Sequence, residues 1–392
     1  MTDTSQSIGA ARPQDEMLPF LNNFHDIFTT IGVLILLGGL AVGTGQVMAM
    51  LDLAEGEQGW QAVLMGLIGG IAVIVWLLSS LLVGRQRRIL PGIVLSGAFA
   101  VAAAVVLIWG YAQFLIHGIG VDETMIETPF DALEDNMEFG RDAVMQVAGG
   151  LPLPVRVLPV VFALACLLPV AAYYLNFRLP FAGGLAGVGL VGLAVATLFT
   201  LDPYTTIVYM PSVSVAAGAA LLFAGIVFDM RDPERQTRLS GTAFWLHFFA
   251  APVLLTAVLN VTQIGWTLSE ADFANPEQTN LLMALGADDG NATRLAATAL
   301  VVIGIFALLS LLINRRALIV SGLLTAGISI GVIVNSVGLD TGAVIALTLL
   351  LLGGAVVLLG AAWNPVRRIL LAPLPSGGPL ARIFPPANGL VG

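Results

Sequence analysis

Lysine is missing from this sequence, so all 16 basic residues are arginines, and they stand beside 25 acidic residues and 3 histidines. The net charge of −9 argues against nucleic acid as a partner, because phosphate recognition needs clustered positive charge. Charged residues of both signs make up 10% of the chain, whereas soluble proteins carry about a quarter. This scarcity of charge excludes an ordinary soluble protein.

The motifs of the common catalytic and metal-binding classes are missing as well. The single cysteine, Cys166, can form no internal disulfide and belongs to no cysteine-based metal motif. No Walker A sequence, Rossmann glycine pattern or His-Glu-x-x-His motif occurs. Ser96 in "VLSGAF" is far in sequence from every histidine, and a serine nucleophile needs a positioned base. The sequence therefore predicts no catalytic residue, no cofactor and no metal site.

Long apolar runs fill the chain instead. Hydrophobic residues make up 57% of it, and its mean hydropathy is +0.93. A helix that crosses a bilayer needs about 20 apolar residues, and the runs lack the alternation of barrel strands. The sequence predicts an all-α, polytopic transmembrane bundle of ten spans, at 27–49, 62–83, 92–114, 157–175, 181–200, 207–229, 243–265, 295–314, 317–338 and 342–363.

The arginines fall in every second connection between these spans. They are Arg85, Arg87 and Arg88; Arg178; Arg231, Arg235 and Arg238; Arg315 and Arg316; and, after the last span, Arg367, Arg368 and Arg382. The other connections are acidic, and the only arginines in them are Arg141, Arg156 and Arg294. Because short cytoplasmic loops retain positive charge, both termini are predicted to lie in the cytoplasm. The bilayer is the expected partner, and anionic lipid is a possible ligand of the arginine turns.

The spans divide the chain into three parts. Residues 1–26 form a polar cytoplasmic segment, 27–363 the transmembrane domain and 364–392 a basic, Pro- and Gly-rich cytoplasmic tail. Acidic outer loops are expected at 115–156 and 266–294.

Helices are predicted within both acidic loops. In the first loop, Thr128 before Pro129 has the pattern of a helix start, and the apolar spacing predicts an amphipathic helix over 128–148. In the second loop, Asn275 predicts the cap of a short helix that ends at Gly286. The first of these helices is either a lid over the bundle or a solvated connector.

Polar side chains inside the spans are candidate functional residues, because burying a polar group in lipid is costly. Span 7 carries Thr256, Asn260 and Gln263 at spacings that place them on one helix face, and Asn335 lies at a matching depth in span 9. These side chains either bond across the bundle as structural contacts or line a polar path for a solute.

Within the spans, histidine and aspartate occur only near the predicted ends. His247, in the first turns of span 7, is the remaining candidate for the polar path, and Asp229 lies at the corresponding end of span 6. Such edge positions are typical of side chains that reach interfacial water.

Glycine and proline patterns indicate how the spans pack. Three small-xxx-small pairs predict close approach of neighbouring helices: Gly39 with Gly43, Gly66 with Gly70, and Gly183 with Gly187. Prolines within spans predict kinks or breaks: Pro169, Pro211 and Pro252.

The carboxy-terminal run "WNPVRRILLAPLPSGGPLARIFPPAN" has a Trp, a pair of arginines, Leu-Pro and a closing Pro-Pro after the last span. In these features it resembles the tails of bacterial polytopic inner-membrane proteins that belong to domain-of-unknown-function families. The arginine turn from Arg87 to Pro91, which leads into a helix, adds to the resemblance. The resemblance implies a multi-pass protein of the cell inner membrane and no known activity.

These observations favour transport of a small solute, or a channel for one, because of the helix count, the predicted kinks and the span 7 amides. The alternative is a non-catalytic scaffold or partner subunit, which the edge position of every charge favours. An intramembrane enzyme is the least favoured function. The residues do not specify an oligomeric state.

Overall fold

The computed structural model describes residues 24–51, 58–134, 141–232, 237–264, 289–373 and 383–384. Throughout these ranges the chain forms helices and short turns, with no strand. The amino-terminal segment, most of the second acidic loop and most of the carboxy-terminal tail lie outside the described residues, and so do the predictions made for Asn275 and Gly286.

The helices follow one another with short connections. In chain order they are α1 Phe24–Met50, α2 Gln58–Ser79, α3 Leu90–Gln113, α4 Glu123–Glu134, α5 Arg141–Gly150, α6 Leu153–Arg156, α7 Leu158–Phe177, α8 Pro180–Leu201, α9 Pro203–Val208, α10 Met210–Arg231, α11 Arg238–Ile264, α12 Asp289–Ile313, α13 Ala317–Asn335 and α14 Thr341–Leu371. The π-helical segments Ser80–Arg85 and Phe114–Ile119 extend α2 and α3.

Ten of these helices coincide with the ten predicted spans, which confirms the all-α polytopic bundle. Nine of the described helices are individually long and apolar enough to cross a membrane. The tenth, α13, meets the same test when its two halves, bent by 44° between Leu323 and Thr325, are taken together. The last helix continues to Leu371, beyond the predicted end at 363.

The arginine turns collect at one end of the bundle, which we call the arginine end. Arg88, between α2 and α3, donates from Nη1 to the carbonyl oxygen of His25 at 2.9 Å and to Oγ1 of Thr29 at 2.8 Å, at the start of α1. It also forms an ion pair with Asp26 at 3.4 Å. Late in α14, Trp363 donates from Nε1 to Oδ1 of Asn314, which follows α12, at 3.2 Å.

The opposite end carries the acidic connections, and we call it the acidic end. There Arg141 at the start of α5 lies 3.3 Å from Oδ2 of Asp202, between α8 and α9. Tyr111 near the end of α3 donates its hydroxyl to the carbonyl oxygen of Pro154 at 2.7 Å. The predicted sorting of basic and acidic connections to opposite ends is therefore present in the fold.

Three turns at the arginine end contain a non-glycine residue in the left-handed conformation. Arg87, Arg178 and Asn314 have φ values of 57°, 54° and 56°. A left-handed residue after a helix ends its hydrogen-bond ladder and reverses the chain within a few residues. These tight turns fix the side chains beside them, and Arg315 directly follows Asn314.

Close packing around α11 confirms one of the predicted glycine pairs. A methyl group on Gly183 would lie 2.8 Å from Cγ2 of Thr242, and one on Gly187 would lie 2.4 Å from Cδ2 of Leu246. Residues without side chains therefore let α8 approach α11.

The other two glycine pairs make no such contact. In the described part of the chain, no atom lies within 4 Å of a methyl group added at Gly39, Gly43, Gly66 or Gly70. The prediction that these pairs bring neighbouring helices together is wrong for the described helices, because α1 and α2 turn these faces away from them.

The first acidic loop begins its helix earlier than the sequence predicted. Helix α4 starts at Glu123, and Oδ1 of Asp122 accepts from the backbone N–H of Met125 at 2.9 Å. Thr128 donates its hydroxyl to the carbonyl oxygen of Thr124 at 2.7 Å, so it lies inside the helix and does not cap it. The predicted helix start at Thr128 is wrong, because the aspartate six residues earlier provides the cap.

The three prolines occupy different positions. Pro169 and Pro252 lie inside α7 and α11. Pro211 lies in the first turn of α10, after a break at Tyr209 that separates α10 from the short α9. The predicted interruption of span 6 is therefore a helix boundary.

Candidate functional site

A cluster of four polar side chains lies buried at the arginine end, where α10, α11 and the turn between α12 and α13 meet. It consists of Asp229, His247, Ser240 and Arg315. The surrounding contacts are apolar, with Leu221, Leu246 and Ala250 packed together in the adjacent core. A buried ionisable group inside a membrane-spanning bundle is a candidate functional site by default.

Helix α11 contributes His247 to this cluster. The residue is fully buried, with a relative exposure of 0%. Its Nε2 lies 3.0 Å from Oδ2 of Asp229, in the last turn of α10. The expected interfacial position of His247 is wrong, because α8 and α10 cover this part of α11 and exclude water from the imidazole.

Asp229 binds the guanidinium of Arg315 with both of its carboxylate oxygens. Nε of Arg315 donates to Oδ2 at 3.0 Å, and Nη2 donates to Oδ1. This fork-like arrangement is the strong, orientation-specific form of a carboxylate–arginine pair. The side chain of Arg315 is 3% exposed and that of Asp229 is 14% exposed, so the carboxylate is the more accessible of the two.

Two serines fix Arg315 in place. Nη2 of Arg315 also donates to Oγ of Ser240, near the start of α11, at 2.8 Å. Ser310 in α12 donates its hydroxyl to the carbonyl oxygen of Arg315, and its own carbonyl oxygen accepts from the Arg315 N–H at 2.9 Å. The turn between α12 and α13 is therefore bound to α10 and α11 through one arginine side chain.

The imidazole of His247 lies directly against the backbone of α10. A methyl group on Gly225 would lie 2.7 Å from Cε1 and 2.9 Å from Nδ1 of the ring. Only glycine leaves room for the ring here. The Nδ1 atom is buried and has no hydrogen-bond partner among the described residues.

Helix α14 is attached to the same turn by a second group of contacts. Nε of the buried Arg367 donates to the carbonyl oxygen of Leu311, at the end of α12, at 3.0 Å. The guanidinium of Arg316 lies 5.1 Å from the ring centre of Trp363. These contacts place an arginine at the carboxyl end of α12, where the helix dipole favours a cation.

The other predicted candidates lie toward the acidic end. Thr256 is exposed on α11, and Asn335 is exposed at the end of α13. Asn260 is half-buried, and its Oδ1 is buried without a hydrogen-bond partner in the described part of the chain. Gln263 belongs to α11, but the structure does not describe its side chain.

An open cavity of about 630 Å³ lies at the acidic end between α12, α13 and α14. Its described lining combines hydroxyl, amide and apolar groups, and no ionisable side chain is among the described lining residues: Thr293, Ile328, Gly331, Val332, Asn335, Ser336, Gly338 and Val344. The volume lies within the range of about 300–1,000 Å³ that small-molecule sites occupy. Asn335 is the predicted candidate that lines this cavity.

The sequence pointed to His247 and Asp229 but not to Arg315 and Ser240. An arginine in a turn between spans is expected whether its side chain is exposed or buried, so the sequence around Arg315 does not indicate its burial. The signal that could have found the cluster is position along the bundle axis, because the end of span 6, the start of span 7 and the turn after span 8 lie at one end of the bundle. Groups of opposite charge at one depth in neighbouring spans are candidates for pairing.

The described cluster has one histidine and one carboxylate beside serine hydroxyls and an arginine. Within the described ranges, no group of three or more His, Cys, Asp or Glu side chains converges. Comparisons with protein-family models, curated proteins and solved structures found no match to this chain.

Proposed function

We propose that the chain is an inner-membrane transporter for a small, uncharged polar solute, with its arginine end in the cytoplasm. The observation that carries the proposal is the arrangement of the α12–α13 hairpin. One end of the hairpin lines the open cavity, and the other end holds Arg315 in the buried cluster. A solute site on one side and a polar lock on the other are what alternating access requires of a single moving unit.

The lining of the cavity indicates the class of solute. Thr293, Asn335 and Ser336 offer hydroxyl and amide groups beside apolar side chains such as Val332. Such groups hydrogen-bond hydroxyls and amides but offer no counter-charge to an ion. Polyols, monosaccharides and small amides fit this chemistry.

The bend in α13 supports a moving hairpin. The helix changes direction by 44° between Leu323 and Thr325, midway between the cavity and Arg315. Interrupted helices near the bilayer midplane are characteristic of transporter sites, because they free backbone groups and allow the two halves to move separately.

Asn260 supports a polar route in preference to a purely structural contact. A structural amide needs a partner across the helix interface, and no donor among the described residues reaches its buried Oδ1. An acceptor without a partner in a buried position is costly unless a solute or water uses it. We assign Asn260 to the solute route on this ground.

A scaffold or partner subunit is the second candidate function. Gly39 and Gly43 form a small-residue pair on α1 that no described side chain covers. Such a face can admit a helix of another protein.

Solute entry into reconstituted vesicles tests transport. Purified protein in proteoliposomes should accelerate osmotic swelling with ribitol, glucose or acetamide as the probe, compared with protein-free vesicles. Val332→Trp should abolish the acceleration by filling the cavity, and Asn260→Leu should reduce it by about tenfold, the effect of losing one buried hydrogen bond of about 1.4 kcal/mol.

The matched control is Val320→Trp, on the same helix but with its side chain exposed and outside the cavity lining. It should swell like the unmodified protein. Swelling at the protein-free rate with all three probes would contradict transport and favour the scaffold.

A further inference from the structure

The carboxylate of Asp229 accepts hydrogen bonds from two side chains at once. Arg315 donates to both oxygens, while Nε2 of His247 lies 3.0 Å from Oδ2. An ionised carboxylate only accepts hydrogen bonds, so the bond to His247 places the imidazole proton on Nε2. The buried Nδ1 then carries a free lone pair, and no described group donates to it.

The charges of the three described ionisable side chains balance in this state. Asp229 contributes one negative charge, Arg315 contributes one positive charge, and the imidazole is neutral. A proton added to His247 would place two cations against one carboxylate in a site from which water is excluded. Since a buried net charge is costly, protonation favours departure of one cation.

Arg315 is the cation that can leave. His247 lies within α11 and is covered by Gly225 of α10, so its ring cannot reach water without separating two helices. Arg315 lies in a turn at the end of the bundle, and its long side chain can extend into the aqueous phase. The partly exposed Asp229 gives the cluster its access to water.

We propose that the Asp229–His247 pair binds one proton in exchange for the guanidinium of Arg315, and that this exchange releases the turn between α12 and α13. The proton comes from water at the arginine end and adds to Nδ1 of His247, while Nε2 keeps its proton and its bond to Asp229, so the ring becomes an imidazolium beside the carboxylate. Arg315 keeps its own proton and carries its charge into water. Asp229 is balanced by Arg315 before the exchange and by the imidazolium of His247 after it.

The imidazole is the proton acceptor because its Nδ1 has no hydrogen-bond partner among the described residues, whereas both oxygens of Asp229 already accept from Arg315.

Among the described residues, the groups that face the pair come from three elements. Asp229 is the facing carboxylate of α10, and Asp232 beyond it accepts from the N–H and hydroxyl of Thr237. The turn contributes Arg315, and α11 itself contributes Ser240. Helix α8, which packs on the other side of α11, contains no ionisable residue.

A role of the proton as the coupling ion of a transporter depends on the proposed function. Binding of the proton to the cluster and release of the turn do not depend on it. Both can be measured without any solute. The first measurement is NMR of protein with ¹⁵N-labelled histidine in lipid nanodiscs. The sequence has 3 histidines, so His25→Gln and His117→Gln assign the His247 signals without altering the cluster.

The signals of His247 should change from neutral imidazole to imidazolium between about pH 8 and about pH 5. An imidazole that stays neutral over this range, or that is charged throughout it, would overturn the proposal.

The second measurement follows the turn through Ala317→Cys, in a Cys166→Ala background. Ala317 is fully buried two residues after Arg315. The measured quantity is the rate at which a maleimide modifies the cysteine at position 317, divided by the rate for Arg85→Cys. The division corrects for the change in thiol ionisation with pH. This ratio should rise by about fivefold or more on acidification, as expected for a coupling of about 1 kcal/mol.

Adding His247→Gln should make the ratio independent of pH, and a ratio that still rises in this variant would contradict the proposal. If His247 titrates and the turn opens while no probe solute enters vesicles, the proton exchange stands and the transport function fails. If solute enters while His247 stays neutral, the transport function stands and the proton exchange fails.

Discussion

At the scale of single residues, two adjacent arginines with the same charge have different surroundings. Arg315 is buried and pairs with Asp229, whereas Arg316 is exposed and lies over the ring of Trp363. Sequence reasoning gave both residues one explanation, because the positive charge of a cytoplasmic turn is visible in sequence and the burial of one side chain is not.

This difference predicts different costs of losing each charge. Arg315→Met should lower the free energy of unfolding by about 3 kcal/mol, because it leaves Asp229 buried without a cation. Arg316→Met should cost about 0.5–1 kcal/mol, the energy of an exposed cation–π contact. Unfolding by titration with a denaturing detergent measures both.

A double variant separates the pair from general damage to the turn. Asp229→Asn combined with Arg315→Met should be more stable than the sum of the single effects implies, because no unpaired charge remains. Equal losses for Arg315→Met and Arg316→Met would contradict the buried pair.

His247 shows how far residue-level prediction reached. The sequence placed it in the first turns of its span, and it is the tenth residue of α11, but depth in a hydropathy profile does not tell whether neighbouring helices cover a side chain. That covering depends on Gly225 in α10, which leaves room for the ring. Asn260 and Asn335 remain predictions for the solute route, with Asn335 placed at the cavity.

At the scale of helices, contact between α8 and α11 depends on glycine at one face. A methyl group on Gly184 would lie 2.5 Å from Cβ of Trp245 and 3.2 Å from its backbone carbon. Gly184→Ala should therefore destabilise the protein by about 1–3 kcal/mol, the usual cost of overpacking.

Gly192 provides the matched control on the same helix, because nothing lies within 4 Å of an added methyl group there. Gly192→Ala should be neutral or stabilise by up to about 1 kcal/mol through helix propensity. Thermal unfolding of both variants in detergent micelles decides the comparison, and a loss of stability at Gly192 equal to that at Gly184 would contradict the packing.

Helix α9 depends on a cap at Asp202. Its Oδ1 accepts from the backbone N–H of Thr205 at 2.9 Å and its Oδ2 from the Thr205 hydroxyl at 2.8 Å. These bonds, in that order, and the nearby Arg141 lower the pKa of Asp202. The stabilisation is present above the unfolded-state pKa of about 3.9 and is lost as pH falls through the lower folded-state pKa.

Asp202→Ala should cost about 1 kcal/mol near neutral pH. Asp202→Asn should retain most of the stability, because asparagine is also a good helix cap. It should also remove the part of the pH dependence of stability that comes from protonation of the Asp202 carboxylate. Unfolding measured near neutral pH and near about pH 3 tests both variants. A loss in Asp202→Asn as large as that in Asp202→Ala would contradict a cap based on hydrogen bonding.

The helix ends were less predictable than the helices. Apolar runs of about 20 residues identify a span whatever its neighbours are, so the ten spans were found. Ends depend on single hydrogen bonds, and Asp122 capped α4 where Thr128 was expected. Likewise, two of three glycine pairs face outward, because sequence spacing does not specify which helix lies opposite.

At the scale of the whole molecule, the sequence and the fold agree on two ends of opposite charge. The arginine end carries the tight turns and the buried cluster, and the acidic end carries Asp202 and the open cavity. Alternating charge predicted this sorting because every span reverses the chain direction. Which spans are neighbours could not be predicted, since lipid-facing and buried apolar faces have similar composition.

The side of the membrane on which each end lies is the central claim, because solute entry at the cavity and proton entry at the cluster both follow from it. Single cysteines at Arg85→Cys and Glu127→Cys, each in a Cys166→Ala background, mark the arginine end and the acidic end. In intact spheroplasts, a membrane-impermeant maleimide should modify the cysteine at position 127 and reach the one at position 85 only after lysis. Modification at position 85 before lysis, with position 127 protected, would contradict the orientation and the route built on it.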